Sequence, residues 1–118
     1  MATAVKRKLS GSASGKPILI AATATAGTAV HTCPNLDGAG QWEEIWLWAQ
    51  NNHTADVVLT VEFGSADAKD NIIVTIPSKS GLVPVVPGLI LQDEMTVKAF
   101  AGTTNVVSIH GFVNTITD

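Results

Sequence analysis

WEEIWLWAQNNHTADVVLTVEFG, residues 42–64, is the stretch on which the fold turns. Its second half alternates: Val57, Leu59, Val61 and Phe63 fall on one side of an extended chain, Val58, Thr60 and Glu62 on the other. That is the period of a half-buried strand. Its first half is apolar on both sides, with Trp42, Glu44, Trp46 and Trp48 on one and Ile45, Leu47 and Ala49 on the other. Tryptophan and isoleucine in so short a run favour strand over helix. NNHT, residues 51–54, has turn chemistry. The expectation is a β-hairpin with arms 42–50 and 55–64, one face of the first arm meeting the core and the other meeting something else.

Short strand patterns continue on both sides. Upstream, KPILIAAT (16–23) and TAVHTC (28–33) read as strands. In the second, Ala29, His31 and Cys33 share a face, with Val30 and Thr32 on the other. PNLDGAG (34–40) reads as a loop. Downstream, NIIVTIP (71–77) turns Ile72, Val74 and Ile76 inward. LVPVVPGLIL (82–91) carries Pro84 and Pro87, which confine it to an edge and bend it near Gly88. MTVKAFA (95–101) and VVSIHGFVNTIT (106–117) complete the set, the latter with Val107, Ile109, Gly111 and Val113 on one face. About eight strands at roughly ten-residue spacing predict an all-β, antiparallel sandwich of jelly-roll type. Residues 16–118 form a single domain in this reading, preceded by a basic arm, residues 1–15, that is extended or an edge strand.

The chain has 118 residues, enough for one domain. Hydrophobic residues make up 46%, so a true core is expected. Charged residues are 14%, against about 25% in an ordinary soluble domain. Surface left uncharged is available for contacts with other chains, which points to an assembly subunit. No apolar run reaches the ~20 residues of a membrane helix, so no membrane partner is expected. Lys6, Arg7, Lys8 and Lys16 give the first sixteen residues +4; three later lysines against all ten acids leave −7. A basic arm on an acidic body suits docking on an acidic neighbour, or simply a solvated tail. It makes a poor phosphate surface, so nucleic acid is not an expected partner. The KRK of residues 6–8 resembles the start of a signal peptide, but the polar SGSASGK that follows lacks the apolar stretch a signal needs.

No catalytic constellation is visible. His31, His53 and His110 lack metal-ligand spacing, and no Cys or carboxylate is expected to complete a set with them. His31 and His110 could meet across a sheet. Cys33 reads as a small buried hydrophobe at a strand end. Glu43 and Glu44 face opposite ways on a strand and cannot act as a pair. Asp67, Asp70 and Asn71 lack the spacing of a calcium loop. No enzyme activity, metal or cofactor is expected. The tryptophans have three readings: ordinary core, subunit interface, or sugar-stacking platform. The interface reading selects Trp46 and Trp48, and docking on an acidic neighbour selects Lys6, Arg7 and Lys8.

Four stretches, KPILIAATATAGTAVHT, EEIWLWAQNNHTADVVLTVEFG, NIIVTIPSKSGLVPVVPGLILQ and VKAFAGTTNVVSIHGFVNTIT, together resemble small β-rich structural proteins of tailed-bacteriophage virions. The resemblance lies in the order of short β segments rather than in a catalytic signature. It implies a capsid decoration (cement) protein found on the virion, with a tail or baseplate component or a carbohydrate-binding module as alternatives. The implied partners are a major capsid protein or another virion protein and other copies of the chain, a homotrimer before a dimer.

Overall fold

The computed structural model describes residues 3–35 and 40–117. Among the described residues nine strands form two antiparallel sheets: β1 (Thr3–Lys8), β2 (Ile18–Leu19), β3 (Thr28–Thr32), β4 (Gln41–Asn51), β5 (Val57–Gly64), β6 (Asn71–Ile76), β7 (Val83–Leu91), β8 (Thr96–Ala101) and β9 (Val107–Thr117). One sheet, here sheet A, runs β1-β9-β4-β7 with the two-residue β2 also on β9; sheet B runs β3-β8-β5-β6. With β2 set aside, successive strands change sheet at every step except β5 to β6, which pair as a hairpin, and the resulting order is that of a jelly roll. The expected sandwich is therefore present.

The core lies where the inner faces meet. Ile45, Leu47 and Ala49 of β4 and Leu59 and Val61 of β5 are all buried in one core cluster. Val107, Ile109 and Val113 of β9 are buried as the alternation predicts. Pro84 and Pro87 do place β7 at an edge, where its register on β4 slips twice. The strand expected over 16–23 is reduced to Ile18–Leu19.

The expected hairpin over 42–64 does not form. β4 lies in sheet A and β5 in sheet B, and the intervening residues carry the chain from one sheet to the other. Alternation identifies a core face on each arm but says nothing about whether two such faces lie side by side or face to face. The buried side chain of Asn51 holds the crossing. Its Nδ2 donates to the carbonyls of Ala55 and Ile76, both at 2.9 Å, and its Oδ1 accepts the His53 N–H at 2.8 Å. The amide thus stands in for backbone partners lost as the chain leaves the sheet.

The basic segment forms an edge strand. Thr3–Lys8 pairs with residues 112–117 of β9, and β2 continues along the same side of β9. Between them the chain dips to the edge of sheet B, where the Gly11 N–H donates to the Val30 carbonyl at 3.0 Å. Leu9 enters the core. On the outside of sheet B, the Glu62 carboxylate accepts from the Gly27 N–H at 2.6 Å and the Thr25 hydroxyl at 3.0 Å. That pins the 25–27 turn over the sheet.

Candidate functional site

Two groups of residues stand out, one on each side of sheet A. The outer side carries an aromatic stack. Trp46 and Trp48 are two apart on β4 and so share a face. Phe112 of β9 is the cross-strand partner of Trp46. The ring centroids of Trp46, Trp48 and Phe112 lie 5.9–6.3 Å apart with near-parallel planes. Cross-strand aromatic pairs of this kind stabilise a sheet. Lys6 Nζ sits 4.2 Å from the Phe112 ring centroid, within cation–π range. Trp46 Nε1–H donates to Glu44 at 2.7 Å, and Asn114 donates to the same oxygen at 3.1 Å. These two donors, Trp46 first, hold the Glu44 carboxyl below its ordinary pKa. All three tryptophans are only half-buried, and exposed Pro84, Pro87 and Ile90 of β7 adjoin them.

Lys8 is the other cross-strand partner of Phe112 and belongs to this outer side. Arg7 pairs with Val113 and turns to the inner side. The residues expected in two roles are thus divided differently. By register Lys6, Lys8, Trp46 and Trp48 fall on one surface and Arg7 on the other, and Lys8, at the end of β1, also borders the inner cleft.

On the inner side, at the end of the sandwich, Arg7, Ser10, His31, Pro34, Glu43 and Thr115 line a cleft of about 710 Å³. Its floor is a buried polar cluster. His31 Nε2 lies 2.6 Å from Glu43 Oε1, and the Thr115 hydroxyl donates to Glu43 Oε2 at 2.9 Å. The Cys33 thiol shares the carboxylate, and the ligating atoms of His31, Cys33 and Glu43 all lie within 4.8 Å of one another. Burial, then the Glu43 charge and hydrogen bond, push the thiol up to about 12. Such a thiol is poorly suited to nucleophilic attack, which needs a lowered pKa.

This cluster overturns the expectation that no Cys or carboxylate joins a histidine. A bulge in β3 between Ala29 and His31 is one cause. It sends both Val30 and His31 into the interior and leaves Ala29 exposed, where simple alternation puts Ala29 with His31. His31 and His110 do not meet, because they stand in different sheets. His31 points inward from sheet B, while His110 pairs with Trp48 in sheet A. Glu43 itself was legible, since it falls on the Ile45–Leu47–Ala49 face of β4. A carboxylate on a core face must find donors.

The donor set does not suit a metal ion. Nδ1 of His31 accepts the Ser10 backbone N–H at 2.9 Å, so that nitrogen carries no proton. The neutral ring then holds its proton on Nε2 and donates it to Glu43. A metal on Nε2 would need the opposite tautomer. The arrangement is a closed hydrogen-bond network rather than a prepared ligand set.

Elsewhere, Asp70 accepts from Ser65 and from Lys69, the latter at 2.8 Å, so the 65–70 segment is a hydrogen-bonded turn. Of the 34–40 loop, residues 36–39 lie outside the described residues. Comparison of the chain with protein-family models, curated proteins and solved structures found no match.

Proposed function

We propose that the chain is a structural virion subunit, a capsid decoration protein that docks through the outer side of sheet A. One observation carries the reading: Lys6 lies on Phe112, and Phe112 stacks on both Trp46 and Trp48. The cations and the aromatic anchors selected for separate contacts thereby form one surface. Half-buried tryptophans beside exposed proline and isoleucine have the make-up of an interface centre, and flanking lysines that of a rim facing an acidic partner. The resemblance to phage structural proteins supplies the particle. The jelly-roll architecture is compatible with it by fold-level analogy alone, since viral capsid and lectin domains both use it. Each copy would bridge a joint in the shell, and association of copies would multiply weak contacts.

The test is binding to undecorated shells. Trp48→Ala and the Lys6→Ala/Lys8→Ala pair are expected to lower binding at least tenfold with the fold retained by circular dichroism. Arg7→Ala, on the opposite side, is expected to change it less. Unaltered binding by the lysine pair at low salt removes the docking role. Sugar stacking is the second reading, favoured by the partial exposure of Trp48 and opposed by the engagement of the Trp46 N–H with Glu44. Glycan binding lost in Trp48→Ala would select it.

A further inference from the structure

Ser10 lies in the segment that carries the chain from β1 to β2, and that segment is strapped across the edge of β3. Leu9 beside it is buried in the core. Three hydrogen bonds tie the strap to β3. The Gly11 N–H donates to the Val30 carbonyl at 3.0 Å, the Thr32 N–H to Ser10 Oγ at 2.7 Å, and the Ser10 N–H to His31 Nδ1 at 2.9 Å. Gly11 lies flush on the strand, since a Cβ there would come within 2.6 Å of the Val30 oxygen. The first two ties join groups that do not titrate. The third rests on a ring nitrogen.

An imidazole nitrogen accepts a hydrogen bond only while it lacks a proton, and in the cationic ring both nitrogens are donors. Nε2 is already committed as the donor to Glu43. A further proton therefore goes to Nδ1, where it sets Nδ1–H and the Ser10 N–H head to head. One of them must move. The ring is buried and anchored to Glu43 on the opposite sheet, whereas Ser10 is exposed on a connecting segment. The strap is the part that yields.

We propose that His31 is an acid-sensitive latch: protonation at Nδ1 releases Ser10 and Gly11 from β3 while the sandwich stays folded. The charges around the ring favour this local outcome. Glu43 faces it from β4 and balances the added charge, so the ring keeps its place in the core. Arg7 and Lys8 border the same cleft from β1 and repel the new cation, and they lie just ahead of the stretch that is to leave. Cys33, next to the ring on its own segment, keeps its proton throughout the acid range. Val113 and Thr115 of β9 line the cleft without charge. The latch makes no use of the aromatic stack, so its test is independent of shell binding.

The experiment is amide hydrogen exchange of the full chain, followed by NMR between about pH 8 and 5, the span in which an imidazole ordinarily changes charge. Protection is corrected for the intrinsic pH dependence of exchange, and the His31 ring nitrogens are followed in parallel. Expected at the upper end is an unprotonated Nδ1. On acidification, protection at Ser10, Gly11 and Thr32 is expected to fall at least tenfold, in step with protonation of Nδ1, while the amides of β4 and β9 keep theirs. His31→Asn supplies the second measurement. Its side-chain amide retains an acceptor near the Nδ1 position and does not titrate, so Ser10 protection is expected to be independent of pH. If that variant fails to fold, the wild-type profile decides alone. Ser10 protection that persists to about pH 5 overturns the proposal. So does loss shared by β4 and β9, or the same acid-dependent loss in His31→Asn.

Discussion

His31 on sheet B and Glu43 on sheet A meet at 2.6 Å inside the sandwich, each at most 5% exposed. The contact ties the two sheets together at the open end of the fold. Removing the carboxylate leaves the buried His31 N–H and the Thr115 hydroxyl without their acceptor. Glu43→Ala is expected to lower stability by about 3 kcal/mol, and Glu43→Gln by about 1–2 kcal/mol, because the amide still fills the space and accepts one bond. Urea denaturation checks both. A loss below about 1 kcal/mol in the alanine variant means that the network does not join the sheets.

Cys33 shares that carboxylate, and its folded pKa is raised from 9.0 to about 12. The folded thiol is expected to resist a thiol-specific chromogenic reagent at pH 8 and to react fully in denaturant. As pH rises, the unfolded chain loses this proton first. The thiol's contribution to stability is therefore complete below pH 9 and lost between 9 and about 12. Cys33→Ala removes that alkaline decline, which melting curves over this range will show.

On the outer side, the Glu44 carboxyl is held below 4.5 by the Trp46 N–H and then by Asn114. A depressed carboxylate stabilises above its unfolded pKa and ceases to as pH falls through the folded value. Tryptophan emission is expected to stay constant above pH 4.5 and to change below it as the indole loses its acceptor. Emission from Glu44→Ala that titrates identically would show that another group is responsible.

Gly111 of β9 lies against β4 with no room for a side chain. A Cβ there would lie 2.1 Å from the Trp46 carbonyl oxygen and 3.0 Å from a methyl of Leu47. Backbone cannot yield as a flexible side chain can, so Gly111→Ala is expected to cost at least about 2 kcal/mol. It should also disturb near-ultraviolet circular dichroism through the tryptophans. A melting temperature within one degree of wild type contradicts this.

Much of the fold was legible because period-two patterns report burial directly. The inward set of β9 and the edge position of β7 followed from valines, isoleucines and two prolines. What failed was the relation between neighbours. NNHT serves a crossing between sheets as well as a hairpin turn, and only the buried Asn51 side chain distinguishes the two. The β3 bulge is equally silent in TAVHT, yet it aims His31 at Glu43. Lys6 and Trp46 were selected singly, and their convergence through Phe112 needed β9 to lie between β1 and β4.

That placement of β9 has a kinetic consequence. It is the last strand in sequence, yet it separates the first strand from the fourth and also receives the second. Neither β1 nor β2 has a lateral neighbour until residues 107–117 arrive, so sheet A closes only by joining distant parts of the chain. Folding must therefore pay loop-closure entropy before its main ladders form, which places it among the slower topologies. Emerging from a ribosome, the chain would hold its tryptophan strand half-paired until the final segment is free.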